Sequence, residues 1–190
     1  MEKFGAVIFL GLVMSTIAQR RQETTYLDQC QSIPEKSGFK KQQFFSGDWF
    51  MTHAKDATVD TLLCYKYTTL VNSEGKLEVQ YRYFKKSEER KVICTQKDGN
   101  SQAPYIFKCV LIEGEEITYE YEVQHTIVET DGNSALLYRC LPVGYKYTDA
   151  FLVLNRQENG AVSREVQNAL STHNLDVNKF ITRKNTVQRN

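Results

Sequence analysis

Three histidines (His53, His125 and His173), five cysteines and eleven tyrosines carry most of the chemistry available to this chain of 190 residues. The histidines share no spacing that would place two of them on one face of an element, so they do not form a zinc-ligand set. No metal is expected. Cys64 with His53 could in principle serve as nucleophile and base, but neighbouring strands bring such a pair together by chance. No Gly-x-Ser-x-Gly elbow, phosphate-binding loop or His-Glu-x-x-His helix occurs. The chain is therefore read as a non-enzyme with no catalytic residues. What remains is binding chemistry: phenol hydroxyls, imidazoles, and Arg139 within the otherwise apolar run Ser134–Leu141.

Those side chains must be positioned by strands. Segments Asp48–Ala54, Leu62–Val71, Lys76–Phe84, Arg90–Gln96, Tyr105–Leu111, Ile117–Val128, Ser134–Leu141 and Ala150–Asn155 read as short strands. Turn chemistry separates them at Asn72–Gly75, Lys97–Asn100, Glu113–Glu115 and Asp131–Asn133. Eight strands with no helix between them predict an antiparallel up-and-down meander, and eight is the number that closes into a barrel with room for one small ligand. After Asn155 the period changes. Val162, Val166, Ala169 and Leu170 predict one amphipathic helix over 163–173 on the outside of the barrel, followed by a short helix or clasp around Leu175–Ile181.

The ends read differently. Met1–Ala18 has a short charged start, an apolar stretch and a small-residue end, the pattern of a secretory signal peptide cleaved after Ala18. No other stretch is apolar enough to span a bilayer, so no membrane partner is expected. Residues 19–29 read as a flexible arm, 30–182 as the folded domain and 183–190 as a polar tail. The net charge of +1 gives no general attraction to nucleic acid. Five cysteines in a secreted chain imply two disulfides and one thiol left over. No Asn-x-Ser/Thr site is present, and a monomer is expected.

The stretch Phe44-Phe45-Ser46-Gly47-Asp48-Trp49-Phe50 holds the single tryptophan, and with the lead-in from Gly38 it resembles the first lipocalin motif. Thr130-Asp131-Gly132-Asn133-Ser134 is similar to the second, with Gly132 in place of the usual aromatic. Phe151–Arg156 resembles the third, whose arginine caps the barrel floor. With Ser134–Cys140 and Asn178–Ile181, these segments look like the salivary lipocalins of blood-feeding triatomine bugs, the group that includes triabin, pallidipin and the nitrophorins. Gly47, Trp49, Thr130, Asp131 and Arg156 are then structural residues, Arg156 packing over the indole at the closed end.

The resemblance implies a Cys30–Cys140 disulfide. Cys94 and Cys109 fall on adjacent predicted strands and are paired as cross-strand neighbours. Cys64 matches a cysteine that nitrophorins tie to their C-terminal tail; here the tail offers no partner, and the expectation is a buried free thiol, with an intermolecular or shuffled pairing as the alternative. With Cys140 outward, Leu137 and Arg139 face inward. Continuing the alternation from Trp49 turns His53 inward, and Tyr81, Tyr83, Tyr119, Tyr121 and His125 (with Ile117 on the same face as the last three) complete the predicted lining. An inward guanidinium requires a carboxylate or phosphate from the protein or a ligand. Haem of the nitrophorin kind is not expected, because Tyr83 stands where the proximal histidine would be needed; no cofactor is assigned.

The resemblance implies a secreted protein that opposes host haemostasis or inflammation. An apolar tube with Arg139 and tyrosine hydroxyls favours an amphipathic acid, an eicosanoid such as thromboxane A2 or a cysteinyl leukotriene, over a biogenic amine or ADP. The alternative is inhibition of a coagulation or kinin-pathway protease by the outer surface, for which the charged loop Lys85–Lys91 is the candidate.

Overall fold

A computed structural model describes residues 25–55, 66–85, 88–99 and 101–182. The strands are β1 (Gly47–Lys55), β2 (Lys66–Val71), β3 (Leu77–Lys85), β4 (Glu88–Gln96), β5 (Tyr105–Glu113), β6 (Glu116–Thr130), β7 (Ser134–Val143), β8 (Lys146–Asn155) and the short β9 (Ile181–Thr182). Each of β1 to β8 pairs antiparallel with its sequence neighbour, and β8 with β1 closes the barrel. β9 pairs with His53 and Ala54 of β1. A single helical turn, α1 (Lys41–Phe44), precedes β1, and helix α2 (Arg164–Thr172) follows β8. The Ser163 hydroxyl caps α2 by accepting from the Val166 N–H at 3.4 Å. A 3-10 turn, Val177–Lys179, supplies the clasp.

Alternation sorts the strands' side chains into two cores. Trp49, Met51, Val79, Val92, Phe107, Val123, Ile127, Leu137, Leu152 and Leu154 fill the barrel interior. Val128, Leu136, Tyr138, Phe151 and Val153 face outward, where Val166 and Leu170 of α2 and Phe180 cover them. Cys30–Cys140 pins the N-terminal lead-in to this outer core, and Cys94–Cys109 bridges β4 to β5 inside the barrel. Cys64 lies outside the described residues, as do the signal segment, the polar tail and residues 86–87 of the loop Lys85–Lys91, whose other residues belong to the ends of β3 and β4.

Three extra residues shift the alternation. Met51 faces Leu154 while His53 faces Val153, so Thr52 is a bulge and the outward face of β1 changes there. Val128 is extra between Ile127 and Glu129, and Thr118 between Ile117 and Tyr119. The β7–β8 hairpin is longer than predicted, its strands reaching Val143 and Lys146. Pro142 in fact pairs opposite Tyr147, and the β6–β7 ladder has already ended at Gln124–Cys140, so no N–H is missed there. Within the arm predicted over 19–29, residues 25–29 are described, and Leu27 exchanges both backbone hydrogen bonds with Tyr147, at 2.8 and 2.9 Å.

The closed end is built on Trp49, which is fully buried. Its indole N–H donates to the Phe44 carbonyl at 3.0 Å, and the Phe44 ring stacks on it with centroids 4.7 Å apart. The Arg156 guanidinium lies 3.8 Å from the indole centroid and donates to the carbonyls of Asp48 (2.9 Å), Gln43 and Phe44 (3.1 Å each). Gly47 enters β1 at φ +78°, a conformation that disfavours any side chain. Asp131 accepts from the N–H groups of Asn133 and Ser134, both at 2.7 Å, and fixes the turn beneath. Replacing Arg156 with Ala removes the cation–π contact and the charge-assisted bonds together. A loss of about 3 kcal/mol is expected in urea unfolding followed by fluorescence of the single tryptophan. Arg156→Lys should restore less than half, since an ammonium cannot reproduce the fork; an unchanged midpoint for Arg156→Ala contradicts this reading of the floor.

Candidate functional site

Above that floor the interior holds a cavity of about 40 Å³, room for about three water molecules. Its walls are mostly apolar, from Phe44 and Phe45 of the plug to Val79, Ile127, Leu152 and Leu154. The sequence-predicted residues Tyr81, Tyr121, His125, Leu137 and Arg139 all line it. Tyr81 and Tyr121 meet hydroxyl to hydroxyl at 3.0 Å. Because β4 and β5 lie between their strands, this hydrogen bond crosses the lumen rather than running along the wall. Burial, then the neighbouring Tyr121, pushes the Tyr81 phenol well above its ordinary range, so it remains a neutral hydroxyl. Tyr67 packs against it with ring centroids 5.0 Å apart.

Arg139 and His125 are cross-strand partners on β7 and β6. Among the described residues no carboxylate lies within ion-pair distance of Arg139, and it donates no hydrogen bond. His125 packs on Phe107, centroids 5.1 Å apart. Desolvation, reinforced by the Arg139 charge, pushes its imidazole down to about 3, so it is neutral. A cation and a neutral imidazole thus face the same apolar space.

Other predicted residues do not join them. His53 is corrected: the Thr52 bulge turns it to the outer face opposite Val153, where its Nδ1 lies 2.9 Å from the Thr52 hydroxyl, and Ala54 takes the inward place. Tyr119 is corrected as well. It stacks on Tyr121 with centroids 5.7 Å apart but stands at the rim, 62% exposed. Ile117, placed inward by simple alternation, is turned out by the Thr118 bulge. Tyr83 is half-buried toward the mouth and packs on Tyr81.

Sequence reasoning missed Tyr67, Phe44 and Phe45 as lining, and missed two charged residues nearer the mouth. Arg90 shares the inward face of β4 with Val92 and Cys94, and its Nη1 donates to Glu113 of β5 at 2.9 Å. Extending the alternation two residues beyond Val92 would have found Arg90.

A closed eight-stranded meander with a plugged floor, one open end and an outer helix is a lipocalin barrel, the architecture of small-ligand carriers. The Nitrophorin family model matches residues 30–188. Procalin of Hospesneotomae protracta is 29% identical over 185 residues, covering 94% of this chain and 97% of its own. Nitrophorin-3 of Rhodnius prolixus is 30% identical over 164 residues, covering 80% of each chain. Among solved structures, a variant of LTBP1 in complex with leukotriene C4 superposes with a TM-score of 0.57 at 32% identity, covering 74% of this chain and 85% of that one. The chain belongs to the nitrophorin family and is a triatomine salivary lipocalin.

The buried neutral His125 gives stability a pH signature. An unfolded imidazole titrates near 6.5 and the folded one near 3, so the unfolded chain binds the extra proton between these values. Stability is whole above pH 6.5 and is lost as pH falls. By pH 5 the loss is about 2 kcal/mol. Urea midpoints measured at pH 7.5 and 5 should fall accordingly in the wild type and stay nearly level in His125→Leu.

Proposed function

We propose that this protein is a secreted scavenger that takes up a small amphipathic acid of the host, an eicosanoid and most specifically a cysteinyl leukotriene or thromboxane A2, and so opposes platelet aggregation, vasoconstriction and inflammation. The observation that carries this reading is Arg139, an inward guanidinium with no carboxylate partner among the described residues, over apolar walls. A ligand carboxylate supplies its missing counter-charge, and a hydrocarbon chain suits the Phe, Val, Leu and Ile lining. Leukotriene C4 in the relative of known structure supports the ligand class. Action is stoichiometric, so affinity and slow release matter rather than turnover. The two disulfides suit an oxidising extracellular setting.

Ligand uptake requires the lumen to open. Drug-sized pockets run to roughly 300 Å³ or more, and the cavity here is about 40 Å³. Parting the Tyr81–Tyr121 hydroxyls and swinging the rings toward the mouth enlarges it, breaking a hydrogen bond between neutral groups worth about 1 kcal/mol together with the ring packing of Tyr81 on Tyr67 and Tyr83.

The lumen residues do not fit a haem. Its imidazole among the described residues is His125, which faces the Arg139 cation, an unfavourable neighbour for an iron centre. Tyr83 offers a phenol where the family resemblance calls for a histidine. No role is assigned to haem.

The narrow cavity specifically favours a second reading, in which the barrel is self-filled and its outer surface inhibits a coagulation or kinin-pathway protease. Titration calorimetry separates the two. Leukotriene C4, a stable thromboxane A2 analogue, serotonin and ADP should give heat only with the eicosanoids, and Arg139→Met should weaken those at least about tenfold. No heat with any eicosanoid, together with prolonged clotting that survives Arg139→Met, would sink the scavenger reading in favour of the protease one.

A further inference from the structure

The barrel wall is not paired over its whole height. β6 and β7 pair from Thr130–Ala135 as far as Gln124–Cys140, and there their ladder stops. β7 runs on to Val143 beside β8 alone, while β6 runs on through Glu116–Val123 beside β5 alone. Continued in the same register, Val143 would stand level with Tyr121, so Glu116–Glu120 reaches past the end of β7 altogether. That overhang is about 17 Å of strand. Among the described residues no backbone hydrogen bond is made along the β7 side of Glu116–Val123. It is an open sheet edge, and open edges are templates for another strand.

This edge carries one sign of charge. Glu116, Glu120 and Glu122 lie on it, Glu115 precedes it, and no Lys or Arg occurs from Gly114 to Tyr138. Lys108 and Lys97 pair with Glu120 and Glu122. Glu115 and Glu116 have no ion-pair partner among the described residues. Ile117 and Tyr119 stand among these acids, 58% and 62% exposed. A second copy of the chain would set acid against acid along such an edge, and like charges directly opposite one another oppose pairing. An extended segment bearing Lys or Arg answers the charge, the idle backbone groups and the bare apolar side chains together.

We infer that the β7-facing edge of Glu116–Val123 is a docking site for an extended basic peptide segment, which adds to the barrel wall as a further strand. Main-chain hydrogen bonds supply the affinity, and the glutamates select the sign of the partner's charge. The site uses backbone groups of the outer wall that ligand uptake leaves idle, and so goes beyond the scavenger reading.

Amide hydrogen exchange and titration of the isotope-labelled protein at physiological ionic strength test this with three probes. One is an eight-residue peptide of alternating Lys and Val, the second its Glu–Val counterpart. The third is the Lys–Val peptide N-methylated at its two central residues, which blocks the ladder on both edges and keeps the charge. The Lys–Val peptide should slow exchange within Glu116–Val123, and the Glu–Val peptide should not bind. Central N-methylation should weaken the Lys–Val peptide at least about fivefold, and so should the double substitution Glu115→Lys with Glu116→Lys. Both substituted residues are exposed, and unchanged exchange in the rest of the barrel reports that the variant is folded. Equal binding of the N-methylated peptide, or binding without protection in β6, reduces the contact to charge attraction and overturns the docking strand. Equal affinity for the Glu–Val peptide, or no binding of the Lys–Val peptide, overturns it as well. Concentration-dependent protection of the same amides without any peptide assigns the edge to a second copy instead.

Discussion

One guanidinium organises the closed end of this molecule. Arg156 lies over the indole of Trp49 and donates to carbonyls of Gln43, Phe44 and Asp48, residues more than a hundred positions earlier in the chain. Gln43 and Phe44 end α1 and Asp48 stands at the start of β1, so these carbonyls lie where the chain passes from helix to strand and the helical hydrogen bonds have run out. Satisfying them with a side chain from the end of β8 ties the first and last strands of the barrel together beneath the core. The lumen consequently opens at one end only, and every inward residue acquires a depth, floor to mouth, by its distance along its strand from this contact.

Depth separates the polar groups inside. Near the floor the walls are almost wholly apolar, and the polar exceptions come in order: Arg139 beside His125, then the tyrosine bridge, then Arg90 with Glu113 at the mouth. Burial of an arginine without a counter-ion opposes folding, and the neutral state forced on His125 adds a second cost below pH 6.5. Polar groups held so inside an otherwise well-packed core are costs to stability that a bound molecule can offset. Recognition by few oriented polar groups on an apolar background is how small-ligand sites gain specificity.

The fold was largely legible in the sequence because its strands mostly alternate and its turns carry Gly at left-handed positions such as Gly75 and Gly132. Both disulfide pairings and the helix behind the sheet followed from the same pattern and from the family resemblance. The site was legible only as far as alternation ran without interruption. Tyr121 and His125 lie between the Thr118 and Val128 bulges, Tyr81, Leu137 and Arg139 lie on strands with no inserted residue, and all five line the lumen, whereas Thr52 and Thr118 each insert one residue and turn His53 and Ile117 away. A bulge changes the face of everything beyond it, and neither threonine announces itself, since Thr is an ordinary strand residue. Size of the cavity was not legible either, because it depends on rotamers such as the meeting of Tyr81 with Tyr121.

The most direct test is a crystal structure of the protein with leukotriene C4. A ligand-taking lumen predicts the Tyr81 and Tyr121 hydroxyls parted well beyond their present 3.0 Å, the hydrocarbon chain above Trp49 and the lipid carboxylate on Arg139. An intact tyrosine bridge with the lipid absent from the barrel, at concentrations that saturate binding in solution, would contradict it.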